Sequence, residues 1–188
     1  VSVSQPWIRI REKLPTSAQM RKKKGRKRCA EKLVESYCKT FDKGYRIIRL
    51  SNVYGTGDGG ASKKKNALQY LVEKLKNNEP IDLYHGGNFY RDYLHVSDIC
   101  EAIKLIMEKG EINQTYNVGS GNPYMFRDII DYVIKNTGST SKISDIDPPD
   151  FHKIVQVKNM YLDVEKLRSL GFEPKVSIEQ GLDELCQT

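Results

Sequence analysis

Short β-branched and aromatic runs, closed by glycine-rich turns and followed by amphipathic stretches, alternate along most of this chain. That alternation limits the fold to strands interleaved with helices, an α/β or α+β arrangement. Residues 45–50 read as a strand that runs into a glycine-rich loop at 51–60. Ala67, Leu68, Leu71, Val72 and Leu75 then share one helical face. A strand over residues 81–84 and a turn over 85–88 follow, then a strand over 90–96. Ser97 is the expected N-cap of a helix over 98–108, with Ile99, Ala102, Ile103, Ile106 and Met107 on its apolar face. A strand at 114–118 closes on Gly119, Ser120 and Gly121. A helix at 125–135 follows, with Phe126, Ile129, Ile130 and Val133 inward, then a loop over 145–150. Asp163 is placed to cap a short helix ended by Gly171. The last helix spans 177 to about 186.

The first quarter differs. Residues 1–46 hold 14 Lys/Arg against 4 Asp/Glu, whereas residues 47–188 hold 17 against 20. The net charge of +7 therefore belongs to the N-terminal part, which argues against a nucleic-acid surface spread over the whole protein. Residues 21–28 are nearly all charge and read as solvated or disordered. From Lys27 onward Ala30, Leu33, Val34, Tyr37 and Phe41 recur at helical spacing, with Gly44 as the stop. No apolar run reaches the roughly 18–20 residues of a membrane span. Cys29, Cys38, Cys100 and Cys186 are scattered without metal or disulfide spacing, and the three histidines are far apart. A reducing, cytoplasmic setting and no metal site are the expectations. Near the N-terminus no strand leads through G-x-G-x-x-G into a helix, so the dinucleotide fingerprint is absent from these residues.

Five segments carry a resemblance: residues 27–31 (KRCAE), 49–55 (RLSNVYG), 91–98 (RDYLHVSD), 116–121 (YNVGSG), and 162–174 with its Leu162-Asp163 and Leu170-Gly171-Phe172-Glu173-Pro174. In this order and spacing the chain resembles the C-terminal half of the extended short-chain dehydrogenase/reductases, specifically NAD-dependent nucleotide-sugar epimerases and dehydratases. The resemblance implies a partial Rossmann-like NAD(P)-binding fold plus a smaller C-terminal substrate-binding α/β lobe. Residues 1–24 are then a basic segment outside the family. Residues 25–60 are a remnant of the dinucleotide-binding domain, and residues 61–188 are mainly the nucleotide-sugar lobe.

It also implies roles. Lys27 is the lysine of a Tyr-x-x-x-Lys pair, which binds the nicotinamide ribose and lowers the tyrosine pKa. Lys23 stands where that tyrosine belongs, so the pair is broken. Leu50, Ser51 and Val53 join Lys27 on the NAD or NADP side. Asn52, Asn66, Tyr84, Arg91 and Lys158 face the nucleoside-diphosphate sugar. Arg91 grips the diphosphate with its planar fork of donors, and Tyr84 meets the base. The alternative for Arg91 is a surface pair with Asp92 or Asp98, and for Asn52 a turn bonding its own backbone. His95 and Asp98 are expected to be structural. The family reading is a truncated epimerase or dehydratase, inactive alone, with binding of the cofactor by this chain in doubt and a homodimer possible through the helix at 27–43. The other readings are a non-catalytic nucleotide-sugar-binding module and a nucleic-acid binder using residues 21–28.

Overall fold

The computed structural model describes residues 8–10, 23–57, 66–149 and 159–187. Its strands are joined in pairs, four parallel and one antiparallel. Strand β1 (Ile8–Ile10) runs parallel to β10 (Met160–Leu162). Helix α1 (Lys23–Thr40) leads to β2 (Arg46–Leu50), which pairs in parallel with β7 (Gln114–Val118). After one residue β3 (Asn52–Tyr54) departs to pair with β6 (Tyr93–His95). Strand β4 (Ile81–Tyr84) pairs with β9 (Ile143–Ile146), and β5 (Tyr90–Arg91) runs antiparallel to β8 (Tyr124–Met125). Parallel pairs need long crossovers. Helices α2 (Ala67–Lys76), α3 (Val96–Lys109), α4 (Phe126–Thr137), α5 (Glu165–Arg168) and α6 (Ile178–Gln187) lie on those connections or follow the last strand.

Two apolar clusters hold these elements. In one, Leu68, Val72 and Leu75 of α2 meet Ile81 and Leu83 of β4, Ile130 and Val133 of α4, and Leu182 of α6. In the other, Ile99, Ala102 and Ile106 of α3 meet Tyr116 and Val118 of β7, with Leu167 and Phe172. Helix ends are capped by local chemistry. Ser177 Oγ accepts the Gln180 N–H while the Gln180 side chain accepts the Ser177 N–H, a reciprocal capping box on α6. Gly138 closes α4 in the left-handed region at φ 63°.

Several expectations are corrected. The strand expected over 90–96 is two strands broken at Asp92, because β5 and β6 pair with different partners. The cap of α3 is His95, whose Nδ1 accepts the Ser97 N–H at 3.4 Å; Ser97 lies inside the first turn. Residues 143–146 form β9 where a loop was expected from 145, since the parallel partner β4 is remote in sequence. Met107 is 68% exposed rather than inward. Ala67 is exposed while Gln69 is buried. The apolar stripe of α1 has no cover among the described residues: Leu33 is 71% exposed, Tyr37 60% and Phe41 56%. Residues 1–7 and 11–22, with most of the expected basic segment, lie outside the described residues.

Candidate functional site

Strands β2 and β3 are consecutive, and the chain changes partner between them. Ser51 N donates to Val118 O at the end of β7, and Asn52 N to Asp92 O between β5 and β6. The switch opens a cavity of about 1140 Å³. Lys27 and Glu31 of α1, Leu50 to Gly55, Asn66 and Gln69 of the α2 entrance, and Leu162 are among its lining. Six of the expected site residues therefore share one cavity: Lys27, Leu50, Ser51, Asn52, Val53 and Asn66. Tyr84 and Arg91 are not among its lining residues, and Lys158 lies outside the described residues.

Each wall is fixed by a specific contact. Arg49 clasps Glu31 with two charge-assisted bonds of 2.9 and 2.7 Å, which locks α1 on β2 and sets the helix turn that carries Lys27. That hydrogen bond holds the Glu31 carboxyl below its ordinary value, against the opposing effect of burial. Asn66 caps α2 by accepting the Gln69 N–H, and its amide donates to Val53 O at 3.3 Å. Gln69 in turn donates to Gly55 O. Asn66 is thus built into the cavity wall and holds the loop after β3. The amide of Asn52 donates to Asp92 O at 2.8 Å. It does not form the self-bonded turn weighed for it, and it ties the cavity to the residue next to Arg91.

Asp92 is the hub that sequence reading missed. It is fully buried, and its carboxylate accepts from Ser120 N, Ser120 Oγ, Gly121 N and Leu162 N at 2.8–3.1 Å. Burial pushes its pKa up while these bonds pull it down; burial is the larger effect. Asp98 is also buried, and it accepts the N–H groups of Lys175 and Val176. Neither carboxylate is a surface group, which removes the surface ion pair as an account of Arg91. Instead the Arg91 guanidinium lies over the Phe89 ring, 4.5 Å from its centroid, and Nη1 donates to Tyr90 O. Burial lowers the pKa of this guanidinium. Tyr84 ends β4 beside the turn at 85–87, which Asp145 anchors through Gly86 N.

His95, expected to be structural, caps α3. It is buried beneath Gly55, with Nδ1 on the Ser97 hydroxyl at 2.8 Å and Nε2 3.3 Å from Glu184. Among the described residues no group of His, Cys, Asp and Glu could hold a metal ion, and no helix is long and apolar enough to cross a membrane.

Residues 15–119 match the model of the NAD dependent epimerase/dehydratase family. The chain belongs to this family. It is 27% identical over 155 residues to the low-salt glycan biosynthesis protein Agl12 of Haloferax volcanii, covering 82% of this chain and 47% of that one. It is 27% identical to the dTDP-4-dehydro-6-deoxyglucose reductase of Escherichia coli, over 75% of this chain and 43% of the relative. Among solved structures, dTDP-glucose 4,6-dehydratase from Bacillus anthracis in complex with NAD superposes with a TM-score of 0.76 at 27% identity, covering 95% of this chain and 55% of that chain. UDP-glucose 4-epimerase from Thermotoga maritima with UDP-glucose gives a TM-score of 0.73 at 27% identity, covering 86% and 50%. The fold is Rossmann-like, mixed α/β with parallel strands. The chain spans about half the length of these relatives or less.

Proposed function

We propose that this chain is the nucleotide-sugar-binding portion of an NAD(P)-dependent epimerase or dehydratase, and that alone it binds substrate without turning it over. Residues 25–60 contribute to the cofactor side and residues 61–188 mainly to the substrate side; of the residues before 25, those from 15 fall within the family match and Ile8–Ile10 pair with β10. The observation that carries the reading is the join between the two sides. Asn52, in the cavity wall, bonds the backbone of Asp92, the neighbour of Arg91. A half-buried guanidinium next to the residue that Asn52 bonds suits a diphosphate, which accepts two parallel N–H bonds. Tyr84, and Lys158 beyond the described residues, complete the expected substrate contacts.

The nicotinamide end of NAD or NADP fits the other wall. Ser51 Oγ is buried there without a hydrogen-bond partner among the described residues, and Lys27, Leu50 and Val53 line the same cavity. When bound, the cofactor supplies a hydride acceptor and donor. Lys27 contributes a positive charge toward the ribose, and Asn52 and Asn66 shape the wall around the sugar. Lys23 occupies the position of the acid/base tyrosine. An ammonium cannot replace a phenol that takes and returns a sugar hydroxyl proton. The missing glycine loop leaves no cradle for the cofactor pyrophosphate within these residues. The exposed Leu33, Tyr37 and Phe41 on α1 support a homodimer through residues 27–43. A cytoplasmic setting is consistent with four free cysteines.

Calorimetry of the full chain against UDP and dTDP, with and without NAD, tests the reading. Nucleoside-diphosphate binding that Arg91→Ala abolishes supports it. Tight NAD binding by the chain alone contradicts the proposed incompleteness of the cofactor side. A non-catalytic sugar-nucleotide module shares the same binding site. It is favoured if binding persists but no turnover appears after a cofactor-binding half from a relative is supplied. A nucleic-acid role predicts salt-dependent affinity that vanishes on deleting residues 21–28.

A further inference from the structure

We propose that Phe89 is a positioning residue for Arg91, holding the guanidinium over its ring so that the donor fork meets a nucleoside diphosphate ready-oriented. The inference rests on the diphosphate reading of Arg91 and assigns a role to a side chain that reading leaves out.

An arginine side chain has four rotatable bonds before its planar group, and ordering it on binding costs affinity. Strand β5 is two residues long, so its backbone alone fixes the direction of Arg91 weakly. The fixing comes from an aromatic ladder that starts in the core. Tyr93, buried in β6, stacks on Phe126 with centroids 6.5 Å apart and planes 23° apart. Phe126 stacks on Phe89 at 5.0 Å and 14°. Phe126 N also donates to Phe89 O at 2.9 Å, which pins the two residues together through the backbone. The Arg91 guanidinium is the last rung, 4.5 Å from the Phe89 centroid.

A cation over a ring face gains from the ring quadrupole, and gains more where water is excluded. The Arg91 side chain is half-buried, which places it between the exposed and the fully desolvated cases. The ring therefore holds the centre of the guanidinium in place. Its Nη1 donates to Tyr90 O at 2.8 Å. A planar group held over a ring and tied to a neighbouring carbonyl is more ordered before an anion binds than a free arginine side chain.

The test is UDP affinity of the full chain by calorimetry, with three changes at one position. Phe89→Leu keeps an apolar group and removes the quadrupole. Pentafluorophenylalanine at position 89 keeps the shape and reverses the quadrupole, so it serves if the leucine variant does not fold. Phe89→Tyr retains the π face. The expected result is UDP binding about threefold to thirtyfold weaker in the first two and near wild type in the third. In an Arg91→Lys background, Phe89→Leu is expected to weaken binding by a smaller factor than in the wild type, because a compact, strongly hydrated ammonium gains less from the ring than a guanidinium. Unchanged UDP affinity in a folded leucine or pentafluoro variant overturns the proposal. So does an equal loss in both backgrounds, which marks Phe89 as a general packing residue. Wild-type chain that binds no UDP sinks the diphosphate reading itself and this proposal with it. The two failures are distinguishable because only the first leaves wild-type binding intact.

Discussion

Replacing Asp92 by asparagine exchanges one carboxylate oxygen for an NH2 group at the point where three segments meet. In the structure Oδ1 accepts the Ser120 N–H at 2.9 Å and the Ser120 hydroxyl at 2.8 Å, while Oδ2 accepts Gly121 N at 3.1 Å and Leu162 N at 3.0 Å. An asparagine satisfies one of these pairs and turns two hydrogens toward the other. With the amide oxygen kept toward Gly121 and Leu162, the Ser120 hydroxyl can turn to accept from the NH2 group and the Ser120 N–H loses its acceptor, at about 1–3 kcal/mol. Relief from burying a charge offsets part of this, since burial already works against the ionised form. The net expectation is a loss of about 1–2 kcal/mol. Asp92→Ala orphans all four donors and is expected to cost more. Urea unfolding followed by circular dichroism measures both, with the midpoint shift read at constant slope. If Asp92→Asn shifts stability by less than about 0.5 kcal/mol, the inference that these bonds hold the hub together is wrong.

Gly119→Ala attacks the same hub from the other side. Its Cβ would lie 2.6 Å from Asp92 Oδ2, and the buried carboxylate cannot yield, so a loss of about 1–3 kcal/mol is expected in the same unfolding assay. His85 sits in the left-handed region at φ 51°. His85→Gly is expected to raise stability by up to about 1 kcal/mol, with relief of strain exceeding the added unfolded-state entropy. The Arg49 bond depresses the Glu31 pKa from the ordinary 4.5. The contribution of the α1–β2 clasp is therefore complete above that ordinary value and lost as the pH falls through the lower folded value. Hydrogen exchange of α1 amides should lose protection on acidification in the wild type. In Glu31→Gln protection should be low at neutral pH, with that acid step absent.

Local chemistry in the sequence determined the elements with strong patterns. Strands 81–84 and 114–118 are read correctly because β-branched and aromatic residues are bounded there by turn-formers. The face of α2 built on Leu68, Val72 and Leu75 follows from a helical period that needs no partner to be seen. The order and spacing of five short segments were enough to mark the family, whose model matches residues 15–119. That six of the expected residues line one cavity follows from that order.

What remote pairing decides was not legible. Strands β8, β9 and β10 are short, and their partners lie far away along the chain. Nothing local distinguishes such segments from loops. The break at Asp92, between neighbours that pair with different strands, is likewise a product of the tertiary arrangement. So is the carboxylate that collects four donors from the segments on either side of it. The stripe on α1 shows the same limit from the opposite direction. Its period announces an apolar face, but a period cannot say what covers it. The family resemblance implied a phosphate grip at Arg91. Only the packed structure showed the ring beneath it, because a stack between residues 89, 91 and 126 depends on two strands and a helix meeting in space.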